Sequence, residues 1–408
     1  MSDSIAANTE LSHSEIWRNR LIVAASFAVI FAFSAVDHAI SPMVEVFHSF
    51  FAVPLGSVLW LISYCTSGIV AGIIIGPALT RSYKTETLTI ASIILLSSAL
   101  GLFLFSHNFA LSLALRFVFG VGSGILSTSM WWLAYEGVAK KYYEAMITVL
   151  MAARPMAVAV GVPLAGYMQM HTGWQGAFGL FLGMIIVSGI VLALTTTKDT
   201  AEKQPLSFKN IFHNYGEALA QPHAKELYAG LMIGKMCYFG IYSALGIWMI
   251  EHYGLGVEAI TRQLMYIGLA ETFVNFVIPP ILKLGHKKVL IASLAGAVTV
   301  FAAAVYAVLP LHWSVFFLAL FVILDRVYSM AVIITVPKMF PACTNKAVMG
   351  NLMTLTAWIG LTVISWFEGQ FLNIIGIRAI ETILLLCLAA GVVMVYRVQK
   401  ITVLGKQA

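Results

Sequence analysis

The sequence predicts an all-α membrane protein of twelve transmembrane helices arranged as two six-helix bundles. Three observations carry that prediction. Of 408 residues, 60% are apolar and only 10% charged, against about 25% charge in an ordinary soluble domain. Apolar runs long enough to cross a bilayer, which takes about 20 helical residues, recur twelve times around one long polar break. Lysine and arginine gather on one side of the implied membrane, as cytoplasmic loops require. Composition alone excludes a soluble enzyme, a fibrous chain and a disordered chain.

The elements follow in order. Residues 1–20 are polar, and too acidic and mixed for a secretory leader, so the first apolar run is expected to be retained. Spans 1 to 6 are expected at 21–41, 53–79, 87–106, 109–134, 146–168 and 175–195. Spans 7 to 12 are expected at 227–250, 259–282, 288–309, 312–335, 348–369 and 372–396. Only helices suit runs of this length, because lipid offers no partner to open backbone groups. The polar break between the sixth and seventh runs carries Lys198, Lys203, Lys209 and Lys225. The expected organisation is an N-terminal bundle over 1–200, a cytoplasmic linker over 201–226 and a C-terminal bundle over 227–408.

Charge orients the bundle. With the amino terminus in the cytoplasm, 18 of the 24 lysines and arginines face the cytoplasm, Arg262 and Arg378 face outward, and four lie within spans. Both termini are therefore expected inside, in a bacterial inner membrane. The net charge of +6 then answers anionic lipid, with no nucleic-acid partner expected. The four cysteines, Cys65, Cys237, Cys343 and Cys387, share no metal-ligand spacing and read as small buried hydrophobes.

Charges inside spans are the informative residues. Each costs roughly 2.5–3.5 kcal/mol on insertion scales, so each needs a partner, water or a solute. The positive set is Arg116 in span 4, Arg154 in span 5, Lys235 in span 7 and Arg326 in span 10; the negative set is Asp37 in span 1, Glu271 in span 8 and Asp325 in span 10. Each either fixes helix packing as a buried pair or takes part in function. Asp325 and Arg326 adjoin, so one can answer the other or a neighbouring helix. No acid lies one helical turn from Arg154 or Lys235. Glu368 falls near the outer end of span 11, and Glu381 is expected too near the start of span 12 to be deep. Tyr238 and Tyr242 are four apart and share a face. With Lys235 nearby, that face either holds an organic solute by stacking and charge or forms a helix seam.

In span 4, Arg116-Phe117-x-x-Gly120-x-x-x-Gly124 forms an R-F-x-x-G-x-x-x-G pattern, and by it the chain resembles the major facilitator superfamily. The loop after span 2 fits the G-x-L-x-D-R-x-G-R-R/K motif only through Gly76, Arg81 and Lys84; Thr80 stands for the aspartate and Tyr83 for a glycine. Val162-Pro163-x-x-Gly166 partly matches the G-P-x-x-G-G of drug/proton antiporters, and Gly173-Trp174-x-x-x-Phe178 resembles the motif that often opens span 6. The resemblance implies the major facilitator fold and secondary transport by alternating access, by a monomer with no cofactor and with the proton as coupling ion.

On that reading the substrate contacts are Arg154, Lys235, Tyr238, Tyr242 and Arg326. Proton coupling falls to Asp37, Arg116, Glu271 and Asp325, and gating to Gly76, Arg81 and Lys84. His38, beside Asp37, is a pH-sensitive neighbour. The expected partners are membrane lipid and a small organic solute, anionic or zwitterionic given four buried cations against three acids. Proton-coupled efflux of a drug or metabolite is favoured by Asp37 and the span 5 motif. Uptake or exchange of an organic anion is favoured by the span 7 tyrosines and the cations. A lipid flippase and a non-transporting sensor are further alternatives. No enzyme is expected, because the histidines are scattered and no P-loop is present.

Overall fold

A computed structural model of the chain describes residues 12–196, 203, 205, 215–306, 309–340 and 346–402. The described part is helical throughout its length. Span 1 is His13–His38, and a short helix, Val44–Phe51, follows it. Spans 2, 3 and 4 are Trp60–Ser82, Thr85–Phe105 and Phe109–Trp132. Span 5 starts as Tyr143–Met156, passes through a π turn at Ala157–Gly161 and enters the helix Val162–Thr195. That helix breaks at Gly173, where φ is 72°, and its remainder is span 6. Spans 7 to 10 are Ala224–Tyr253, Val257–Leu282, His286–Tyr306 and Leu311–Met339. The last stretch, Lys346–Thr402, breaks at Gly376 (φ 76°) into spans 11 and 12.

Nine described stretches are long and apolar enough to cross a membrane. Two of them contain the breaks at Gly173 and Gly376, and Val257–Leu282 adds a helix of 26 residues, so the described residues accommodate twelve crossings. Only glycine enters the left-handed region without steric cost, which explains the residue at both breaks. Span 1 begins earlier than its apolar run because Ser12 and Glu15 form a reciprocal cap, each side chain taking the other's backbone N–H.

Polarity is inverted relative to a soluble protein. Phe105, Val187, Leu194, Leu386 and Val393 are exposed on the outside, while Arg116, Glu271, Asp325 and Glu368 are buried. Such a molecule needs a hydrocarbon solvent around it.

Small residues let the helices approach closely. Gly68, Gly72 and Gly76 on span 2 face Phe117–Gly120, Gly124 and Thr128 on span 4; a methyl group at Gly72 would lie 2.8 Å from the Gly124 Cα. Spans 7 and 12 repeat the device, with Gly391 against Gly230 and Gly234. Both pairs follow the small-xxx-small rule for membrane helices.

The two halves meet at the end of the bundle remote from the termini, called the distal end below. There Ser63 donates to the Thr362 carbonyl (3.2 Å), the Thr362 hydroxyl donates to the Thr66 hydroxyl (2.9 Å), and the Gly56 N–H donates to Asn373 (3.2 Å). The Gly246 N–H donates to Ser41, and Gly369 packs on the Trp60 indole. Span 8 crosses span 5 at its π turn, where a methyl at Gly268 would lie 2.7 Å from the Ala159 nitrogen.

Candidate functional site

The buried charges sort into pairs between helices. Span 1 carries Asp37 and span 4 carries Arg116; the guanidinium donates to Asp37 Oδ1 at 2.8 Å. The Cys65 thiol reaches the same oxygen, and Arg116 Nε donates to the Leu61 carbonyl (3.3 Å). Arg116 is 1% exposed, so this pair is the polar centre of the N-terminal bundle.

The C-terminal bundle holds two further pairs. Lys235 on span 7 donates to Asp325 on span 10. Arg326, the next residue, donates instead to Glu271 on span 8. Adjacent residues on a helix point about 100° apart, so Asp325 and Arg326 serve two neighbours and not each other. Tyr242 also donates to Glu271, at 3.3 Å. The Tyr238 and Tyr242 rings sit 5.2 Å apart, and the Lys235 ammonium lies 4.7 Å from the Tyr238 ring centre. The absence of an acid one turn from Lys235 in sequence is thus answered by a carboxylate 90 residues away.

Arg154 differs from the other three cations. Among the described residues it makes no ion pair; Ser127 lies at 3.5 Å from one of its terminal nitrogens. Its guanidinium carbon sits 5.4 Å from the Phe33 ring centre and 4.8 Å from that of Trp358. Phe33 belongs to span 1 and Trp358 to span 11, so Arg154 lies between the two halves. Locally its helix is irregular for identifiable reasons. Pro155 supplies no N–H, and the π turn follows two residues on. That turn re-aims the distal part of span 5 while leaving Arg154 on its inner side.

The remaining expected residues are placed as follows. Gly76 packs against Thr128 within the N-terminal bundle. Arg81 and Lys84 are exposed at the proximal end and form no ion pair among the described residues. Lys203, from the linker, donates to the Thr80 carbonyl at 3.2 Å. His38 Nδ1 meets the Ser34 carbonyl at 2.8 Å. Of the linker expected over 201–226, residues 203, 205 and 215–226 are described, and Lys198 and Lys209 lie outside the described residues.

Glu381 stands near the start of span 12, as expected, and is closed off by protein there: it is 1% exposed, accepts from Trp248 Nε1 at 2.7 Å and from Arg378 at 3.2 Å, and lies 3.3 Å from His252 Nε2. Span 12 starts right after Gly376, which turns Glu381 inward onto span 7. Sequence reasoning missed Phe33, Ser127 and Trp358 around Arg154. Nothing in the sequence separates Trp358 from other aromatics in apolar runs.

Fold and site together define a polytopic helical carrier: two bundles joined at one end, with paired charges inside each and, among the described residues, Arg154 between them without an ion pair. A family model described as the Major Facilitator Superfamily matches residues 22–364. The chain belongs to that superfamily and is a secondary transporter, not an enzyme. A similar solved structure is a bacterial homologue of the human lysosomal transporter Spinster, in an inward-facing and unoccupied conformation. The TM-score is 0.66 at 14% identity, covering 94% of this chain and 95% of that one. No match was found among the curated proteins.

Proposed function

We propose that this transporter carries a small organic anion with an apolar or aromatic body, coupled to protons moving in the same direction. The supporting observation is Arg154, a cation between the halves with aromatic walls and no acidic partner among the described residues. Asp37, Asp325 and Glu271 are matched by Arg116, Lys235 and Arg326, which leaves Arg154, among the described residues, for a solute to answer. Phe33 and Trp358 supply faces for its apolar part.

The pairs suggest the coupling. A proton on Glu271 removes the charge that holds Arg326, and the freed guanidinium can then take the anion. Proton and anion therefore raise each other's affinity, and that linkage is reciprocal. Co-binding drives both the same way, which favours uptake over the efflux expected from the partial span 5 motif. Asp37 with Arg116, and Asp325 with Lys235, are the analogous proton-sensitive pairs. With both termini cytoplasmic, the joined distal end is the outer side, and the carrier is inward-facing. In that state Arg81 and Lys84 stand apart, as an open inner gate requires.

Purified protein in oriented proteoliposomes tests this with labelled aromatic and aliphatic monocarboxylates, their amides as neutral controls, and an imposed pH gradient. Accumulation of a carboxylate, but not its amide, inside vesicles with an acidic exterior is the expected result. Movement of solute outward against its gradient under the same acidic exterior would establish antiport and remove the co-transport reading.

A further inference from the structure

Glu368 of span 11 takes no part in the pairs above. It is fully buried, and among the described residues no cation lies within ion-pairing distance of it. Its hydrogen-bond partner is the Ser243 hydroxyl of span 7. That hydroxyl also lies 3.1 Å from the Gly240 carbonyl. One hydroxyl proton faces two acceptors. If Glu368 is a carboxylate, one of the two contacts lacks a proton. If it is a carboxylic acid, it donates to Ser243, Ser243 donates to Gly240, and both contacts are hydrogen bonds. The surroundings agree: Gly240 and Ile364 with Leu384 crowd the site, and the thiol of Cys237 on span 7 is a titratable neighbour. A charge in such a place, answered by one hydroxyl, is costly.

The position on span 11 gives this proton a consequence. The next residue, Gly369, packs on Trp60 of span 2, and Asn373 and Thr362 bond across the same seam. Glu368 thus stands directly behind the distal contact between the halves. Parting of that contact would remove the cover that span 2 gives to this stretch of span 11.

We propose that Glu368 is a proton-operated latch of the distal gate: protonated, it keeps the seam closed; ionised, it favours the open state. The sign follows from linkage. The closed state holds the proton more tightly because its site is dry, so acid stabilises closure and rising pH removes that stabilisation. Each pH unit of difference in proton affinity between the states shifts the open-to-closed ratio by about tenfold. This deepens the proton-coupled reading above but concerns the gate alone, so it needs no solute to test.

The reporter is Ser63→Cys, buried in the seam, in a protein whose four native cysteines are replaced by serine. A membrane-impermeant thiol reagent is applied to proteoliposomes between pH 5 and pH 8. Labelling, corrected for the reagent's own pH dependence on a free thiol, is expected to rise at least about tenfold with pH. Glu368→Gln is expected to label slowly at every pH. Glu368→Asp, which still titrates, should keep a pH-dependent rise. Monodisperse elution of each variant verifies folding. A Glu368→Gln protein that labels with the same pH profile as its parent overturns the proposal, as does a parent whose labelling is flat. Neither result touches co-transport, which the solute assays decide on their own.

Discussion

At the scale of single residues, the decisive arrangement is that Arg326 is held by Glu271 whereas Arg154 is held by no acid among the described residues. Glu271→Gln separates binding from coupling. The variant leaves Arg326 permanently without its carboxylate, so anion affinity should lose the pH dependence that the parent shows in calorimetric titration. Proton movement linked to transport should fall much further than binding. The variant should also unfold more easily in detergent, because removing one partner of a buried pair costs about 3–5 kcal/mol. Saturating anion should restore part of that loss, since a ligand binding only the folded state stabilises it. A variant whose anion binding keeps the parental pH dependence would show that the pair is structural. The sequence made these charges visible because a charge in an apolar run stands out. It could not reveal which acid meets which base, since Lys235 and Asp325 are 90 residues apart and the crossing of spans 7 and 10 decides their meeting.

Among elements, the glycines divide by what surrounds them. On span 2, Gly72 lies against the backbone of span 4, within 3 Å of a position any side chain would occupy. Gly183 on span 6 has nothing within 4 Å of that position. Gly72→Val should force spans 2 and 4 apart and abolish recovery of folded protein from membranes. Gly183→Ala should leave recovery intact and raise stability by roughly 1 kcal/mol, through helix propensity alone. Thermal unfolding in one detergent measures both, and equal effects would mean that the close crossing carries no weight. Here the sequence was informative in part. The Gly120-x-x-x-Gly124 spacing is one that membrane helices use for close approach, and the structure supplies its partner, the Gly68–Gly72–Gly76 ridge. The π turn in span 5 was not legible as such: it covers Ala157–Gly161, ahead of Pro163, and Gly268 of span 8 packs against it.

For the whole molecule, the twelve-helix, two-bundle plan was readable because bilayer thickness sets run length. At which end the two halves meet was not readable, because two access states share one sequence and differ by only a few kcal/mol. The seam at Ser63, Thr66, Thr362 and Asn373 consists of small polar residues with no distinctive pattern, and polar contacts of that kind part more readily than an interlocked apolar core. Alternating access demands that they part in every cycle. Thr66 and Thr362, whose hydroxyls are 2.9 Å apart, give the means to prevent it. With both changed to cysteine in a background lacking the native four, mild oxidant should join spans 2 and 11, the sulfurs being placed close to bonding range. The linked protein should bind solute from the proximal side yet carry none across the membrane, and dithiothreitol should restore transport. Each single-cysteine variant should be unaffected by oxidant. Transport that continues at the parental rate in fully linked protein would mean that the halves do not rock about this seam, and the solute would have to leave by a route that keeps the distal end closed.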